Sequence, residues 1–341
     1  MVLRMKTRGT RPAASVPPGM APAALKPQGF LRVLLTRYAT VLILLVLMVA
    51  FSFFSQQFLT SLNLKNLLVV QVTVCCMAFA AILPLIVGEF DLSLGYSLGF
   101  LMMLGALLGG QGFGAAVVIA AMLIGGALVG VLNGFLRIQF QISSFIATLG
   151  VGILLSGATQ GMSGGSVLYA GIPPQVTAMG QSDFLGLGIT VWLTLVLAIA
   201  LVFVLEHTPF GRQLYAIGGS ERVAYLAGIR VDLYRVLAFA GAGLLVGVAS
   251  VFELGQSGGA NPLFGPELLL PAYAASFLGV TTYRPGYFNV PGALVAIILL
   301  AVGFNGLNLL GAPYWLQPIF NGVVLILAVI TAKAEGRQIL K

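Results

Sequence analysis

Long apolar blocks alternate along the chain with short polar interruptions, and no block keeps the period of two expected of a strand. Between Asp91 and Arg137, and again between Arg137 and Asp183, no side chain is charged. Such runs are tolerated where positions face lipid or a packed helix bundle. Continuous Leu, Val, Ile, Ala, Phe and Gly read as spanning helices, since a membrane β-barrel would show short alternating segments with a polar face. The pattern therefore predicts an all-α, polytopic helical membrane protein with about ten transmembrane segments: Tyr38–Phe54, Leu68–Val87, Leu92–Leu108, Gly114–Leu132, Ser143–Ala158, Leu187–Leu205, Val236–Phe252, Leu268–Gly279, Val290–Leu310 and Pro318–Thr331. The eighth is short. Its roughly 12 residues rise ~18 Å against a hydrocarbon core of ~30 Å, and Pro271 interrupts it. It is expected to half-enter the membrane or continue as broken helix, a form tolerated where backbone is buried in protein or lines a cavity.

Lys and Arg in short loops set orientation. With the N-terminal tail in the cytoplasm, Arg137, the loop Glu206–Arg235 with its arginines, Arg284, and the tail carrying Lys333, Arg337 and Lys341 all fall on that side. The opposite side receives Gln56–Leu67, Thr159–Phe184 and Glu253–Glu267, where Lys65 is the one basic residue. Both termini are thus expected in the cytoplasm. Residues 1–37, with Pro12, Pro17, Pro18, Pro22 and Pro27, read as a disordered basic tail rather than a cleavable signal, because the apolar run that follows is too long for a signal core. Residues 38–332 form the membrane domain with its cytoplasmic loop 206–235, and 333–341 a second cytoplasmic tail. No loop is long enough for a separate soluble domain.

Composition agrees: of 341 residues, 59% are hydrophobic and 8% charged, with mean hydropathy +1.04. A formal charge of +8 would suggest a nucleic-acid partner in a soluble chain. Here seven of the 17 basic residues (Arg4, Lys6, Arg8, Arg11, Lys26, Arg32, Arg37) precede the first apolar block, leaving ten against nine acids. The charge encodes orientation, and no nucleic-acid partner is implied. Cys75 and Cys76 are adjacent within an apolar block, so they offer neither a disulfide framework nor a metal cage.

Several motifs carry possible chemistry. A P-loop needs a Gly-Lys pair, and none occurs, so any ATP used is bound elsewhere. Gly161-Met162-Ser163-Gly164-Gly165 fits the nucleophile-elbow pattern of a serine hydrolase, but His207 is the sole histidine and is expected at the other membrane face; a glycine-rich turn is the simpler reading. Gly88-Glu89-Phe90-Asp91-Leu92-Ser93-Leu94-Gly95 places two carboxylates between apolar runs. Asp91 suits an N-cap accepting from the amides near Ser93 and Leu94; a place on a solute path and proton coupling are the alternatives. Gly105 with Gly109, Gly126 with Gly130 and Gly243 with Gly247 suit close helix packing. Asn305, Asn308 and Asn321 suit either a polar solute or bonds between helices. Ser220–Ile229 reads as a short amphipathic helix with a Ser cap, Glu221 in the first turn, Val223 and Leu226 on one face, and Gly228 as its stop. It suits a partner's groove, the bilayer surface or simple loop packing.

Taken together these residues resemble the permease subunit of ATP-binding cassette (ABC) importers for simple sugars, the ribose-permease family. Gly88–Gly95 is similar to that family's Gly-Gly-Ile-Asp-Leu-Ser-Val-Gly. Ser143-Ser144-Phe145-Ile146-Ala147-Thr148-Leu149-Gly150 resembles its Pro-Pro-Phe-Ile-Ala-Thr-Leu-Gly. Thr208–Gly219 resembles its Phe-Gly-Arg-x-x-Tyr-Ala-Val-Gly-Gly run, and Asn305–Gly311 with Tyr314-Trp315 also matches. The resemblance covers residues 62 to 331 in order. It departs at Thr281–Gly286, where the family often has a Gly-rich turn, and at Glu89, where Gly is commoner. The resemblance implies a non-catalytic, multi-pass subunit of the prokaryotic inner (plasma) membrane. It implies a homodimer in membrane lipid, a cytoplasmic ABC ATPase that binds the ATP and Mg, no cofactor in this chain, and a periplasmic or extracellular binding protein that delivers a monosaccharide or polyol. Ser220, Glu221, Arg222, Leu226 and Gly228 would form the coupling helix, and Glu89, Asp91, Ser93, Asn305 and Asn308 are candidates for the transport path. A branched-chain amino-acid permease of the same superfamily, and a secondary transporter coupled to protons through Glu89 or Asp91, are the competing readings.

Overall fold

The computed structural model describes residues 39–334. The tail 1–37 and the chain beyond residue 334 lie outside the described residues. Thirteen helices and one two-stranded antiparallel pair make up the described chain. They are α1 (Ala39–Phe54), α2 (Ser61–Ile86), α3 (Leu94–Gly110), α4 (Ala115–Gln139), α5 (Ser144–Ser163), α6 (Pro174–Gln181), β1 (Asp183–Phe184), β2 (Leu187–Gly188), α7 (Ile189–His207), α8 (Pro209–Gly219), α9 (Glu221–Leu226), α10 (Val231–Ser257), α11 (Pro266–Gly279), α12 (Val290–Leu309) and α13 (Leu316–Ala334). Each of the ten apolar segments coincides with one helix. Six, α2, α4, α5, α7, α10 and α12, are long and apolar enough to cross a membrane, which makes this a multi-pass helical membrane protein. The short eighth segment is α11, 14 residues with Pro271 inside.

Two helices begin earlier than apolarity alone predicts. α2 begins at Ser61 instead of Leu68, because the Thr60 hydroxyl accepts from the Asn63 N–H at 3.3 Å and supports a polar first turn. α10 begins at Val231 instead of Val236, with Asp232 in the first turn, where the helix dipole favours an acid. Parts of the polar connections are also ordered: α6 and the β1–β2 hairpin lie within 159–188, and α8 precedes α9 within 206–235.

The core is built around α2, whose most apolar stretch is 83% buried against 22% for that of α4. α7, α10, α11 and α12 pack against it. α4 crosses α10 with the two backbones in contact. A Cβ at Gly126 would strike the Gly243 carbonyl, one at Gly243 the Gly126 carbonyl, and one at Gly247 would come within 2.9 Å of Leu123 Cα. Lipid chains are as apolar as the side chains, so close backbone packing replaces the hydrophobic drive.

α2 is 26 residues long, ~39 Å at 1.5 Å per residue, and separates two polar ends. Near its start Lys65 pairs with Asp183, and a bridge between Leu168 and Ala260 joins two of the loops expected on one side. Beyond its other end lie Glu89, Arg137, Glu221 and Arg235, with Arg284 3.7 Å from Glu206. Among the described residues, Arg137, the 206–235 loop and Arg284, sorted to one side by sequence, thus share one end of the molecule.

Candidate functional site

That basic end encloses a cavity of about 1000 Å³, bordered by Glu89, Phe90, Arg137, Ser144, Tyr215, Ser220, Glu221, Arg235 and Phe288. Its inner wall is the turn between α2 and α3, which Gly88 opens at φ +78°. The turn is tied at each backbone N–H from Gly88 to Ser93, as a buried non-helical segment requires. Phe90 N–H donates to Ser144 Oγ (3.1 Å) and Leu92 N–H to Thr148 Oγ1 (2.9 Å), so two of the sequence motifs meet. Asp91 N–H donates to the Tyr273 hydroxyl (2.9 Å), which donates in turn to the Asp91 carbonyl (3.0 Å). Tyr273 stands two residues past Pro271, so α11, which runs unbroken through that proline, clasps this turn.

The Asp91 carboxylate, 1% exposed, accepts from the Ser93 N–H (3.0 Å), the Ser93 hydroxyl (2.6 Å) and Asn133 Nδ2 (3.2 and 3.3 Å). Asn133 Nδ2 also donates to Ser93 Oγ at 2.7 Å. The expected cap is therefore half realised: the Ser93 amide is taken, while α3 opens at Leu94 with Ser93 itself at the N-cap. Glu89, 5% exposed, sits between two guanidinium groups. Arg137 Nε donates to both of its oxygens at 3.1 Å, and Arg235 Nε lies 3.1 Å from Oε1.

Ser220 Oγ accepts from the Val223 N–H (3.4 Å) and Gly228, at φ +84°, ends the short helix α9, as the sequence predicts. Glu221 reaches back to α10 while more than half exposed, its carboxylate gripped by Arg235 Nη1 (2.9 Å) and Nη2 (2.8 Å). Those bonds hold Glu221 below the usual carboxylate range. A lowered folded pKa means the clamp contributes fully above the unfolded value and is lost as pH falls through the folded one, so it is intact at neutral pH. Ala224 is the side chain of α9 that buries. Val223 and Leu226, expected together on a docking face, point outward with Tyr225, at 65, 76 and 71% exposure. A second hollow of about 830 Å³ beside them is bordered by Arg222, Gly228, Arg230 and Asp232. Tyr215 on α8 donates to the Phe288 carbonyl at 2.7 Å, and burial pushes its phenol up to about 12, so it remains a donor.

The remaining sequence candidates lie elsewhere. Asn305 forms a reciprocal amide pair with Asn63 (2.9 and 3.0 Å) at the far end of α2 and α12, and Asn308 is exposed nearby. Neither approaches Glu89, Asp91 or Ser93. Ser163 bonds to its own turn through Gln160 and Gly165, whereas His207 stacks on Phe203 at the opposite end of the molecule. Cys75 and Cys76 are buried and unbridged. Among the described residues, no three His, Cys, Asp or Glu side chains are placed to share a metal ion. Sequence reasoning missed Asn133, Tyr273 and the joint role of Arg137 and Arg235; Ser144 and Thr148 lay inside a quoted motif without a role.

The family described as the branched-chain amino acid transport system, permease component, matches residues 63–329. This chain belongs to that permease family. The permease is 32% identical over 304 residues to the ribose import permease protein of Escherichia coli (strain K12), covering 88% of this chain and 95% of the relative. It is 32% identical over 298 residues to the ribose import permease protein of Bacillus subtilis (strain 168), covering 86% and 91%. Against the L-arabinose ABC transporter permease protein of Azospirillum brasilense it is 27% identical over 321 residues, covering 94% of each. No solved structure matches the permease.

Proposed function

We propose that two copies of this permease form the transmembrane path of an ATP-driven importer for a monosaccharide or related polyol. The observation that carries this reading is the end-to-end similarity to ribose import permeases, which spans both the α2–α3 turn and the α8–α9 loop. The chain crosses the plasma membrane about ten times with both termini in the cytoplasm, and the basic end faces inward. A separate ABC ATPase binds ATP and Mg and seats on α9 through Val223, Tyr225 and Leu226, with Arg222 at the rim. A binding protein outside delivers the solute to the end that carries Lys65. Glu89 borders the path at its inner end, while Asp91 and Ser93 hold the turn that shapes it. Asn305 and Asn308 belong to the outer end. The free face of α5 is the best candidate wall for the middle of the path. It is the least apolar of the six long helices, Gln160 is exposed on it, and Gly157 and Gly161 have open space beside them. Gln160 turned to lipid is costly, so a second copy or an aqueous path covers that part of the face.

The family's description makes a branched-chain amino acid the second reading of the cargo. The test reconstitutes the permease in vesicles with its ATPase and binding protein and follows labelled ribose and leucine. ATP-dependent ribose uptake that also needs the binding protein is expected. Leucine uptake alone would shift the cargo, and uptake driven by a pH gradient without the ATPase would overturn the importer.

A further inference from the structure

Arg235 stands at the base of α10 between two carboxylates of opposite character. Glu221, on α9, is 58% exposed and takes both terminal nitrogens of the guanidinium. Glu89, on the α2–α3 turn, is 6% exposed and is already bonded by Arg137 of α4. The third nitrogen, Nε, is buried 3.1 Å from Glu89 Oε1, yet its N–H has no hydrogen-bond acceptor. The guanidinium is thus doubly hydrogen-bonded toward α9 and only ion-paired toward Glu89.

The two sides differ in what a displacement of α9 would do. Glu221 can follow α9 into water at little cost, because it is more than half exposed already. Arg235 cannot: its side chain is 11% exposed, and without Glu221 its charge would rest on Glu89 alone, 3.1 Å from Nε. The nearest carboxylate is Glu89, and turning the guanidinium toward it would satisfy the idle Nε and compete with Arg137. We propose that Arg235 is a partner-exchange relay, held by Glu221 when α9 is docked and passing to Glu89 when the ATPase draws α9 away. Through Glu89 and Arg137 the exchange reaches the α2–α3 turn and α4, so motion of a six-residue helix becomes a rearrangement at the inner mouth of the path. Two packed arrangements biased by one displacement are what coupling between distant sites requires. The relay rests on the importer reading given above.

The test uses the complete assembly in vesicles and reads solute import, ATP hydrolysed per solute, and co-purification of the ATPase. Glu89→Gln removes the waiting negative charge while keeping the side chain's size. The ATPase is expected to remain bound, with import reduced about tenfold and ATP spent per solute raised to match. Import within about twofold of the unsubstituted chain would overturn the relay. Glu221→Ala, at an exposed position that folding tolerates, frees Arg235 from α9 and is expected to hydrolyse ATP without import; normal coupling in it would also overturn the relay. The exchange Glu221→Arg with Arg235→Glu rebuilds the α9 clamp but sets Glu89 against a like charge. It is expected to recover ATPase binding and not import, whereas recovery of both would show a plain clamp. Failure of the unsubstituted assembly to import any solute would overturn the importer reading and the relay with it.

Discussion

Asp91 illustrates how a buried acid can be held without a counter-charge. Each hydrogen bond it accepts comes from a neutral group: the Ser93 amide and hydroxyl, and the Asn133 amide. Its worth lies in the direction of those donors. Asp91→Asn would turn an N–H₂ toward the N–H₂ of Asn133, donor against donor in a buried site, at a cost of about 1–3 kcal/mol. The substituted protein is expected to melt earlier in detergent and to import poorly. Adding Asn133→Asp restores donor facing acceptor, and both melting temperature and import should recover. No recovery of import in a double variant that has regained its stability would mean that the carboxylate at position 91 acts on the solute or a proton directly. Neither Asn133 nor Tyr273 stood out in the sequence, because each is one of a few polar residues in an apolar helix with no motif around it. Their partner lies 42 and 182 residues away. The pairing is created by the crossing of helices and has no local pattern.

Among the elements, helices were legible because blocks of apolar residues announce them, and the glycine pairs announced close packing without saying against what. The structure supplies the missing half: Gly126 and Gly243 face each other, so neither can gain a side chain alone. Gly243→Val is expected to force α4 from α10 and destabilise the chain by about 1–3 kcal/mol, seen as a lower melting temperature in detergent. Gly157→Ala, at a position on α5 with open space around it, is expected to leave the melting temperature of the isolated chain unchanged. Equal losses from both would mean that helix propensity rather than the crossing sets the effect. The helices hidden from sequence, α6 and α8, are short and lie in connections where polar composition reads as loop. α8 did carry a signal, Thr208 before Pro209, a capping residue ahead of a proline suited to the first helical turn.

Over the whole molecule, charge sorts by end, and that much was legible from Lys and Arg positions alone. What could not be read was that the same residues are structural partners. Arg137 and Arg235 looked like markers of sidedness, yet they enclose Glu89, because nearly buried charges near a membrane face must be paired. The sidedness has its own test. Both native cysteines are buried, so single cysteines introduced in their presence report cleanly. Lys65→Cys is expected to react with an impermeant maleimide in intact cells, and Arg222→Cys only after the membrane is opened. The reverse pattern would invert the orientation. Lys65 is chosen because its pair with Asp183 is exposed and contributes little, about 0–1 kcal/mol.

The outward Val223, Tyr225 and Leu226 bear on the life of the protein before it is assembled. In the proposed orientation, a newly inserted copy offers the cytoplasm a small knob of bulky apolar side chains that nothing among the described residues covers. Such a knob is what chaperones and proteases bind, so the ATPase that covers it would also shield the permease from them. The supply of one subunit would then set the survival of the other, and the cell would keep the two in proportion without having to measure either.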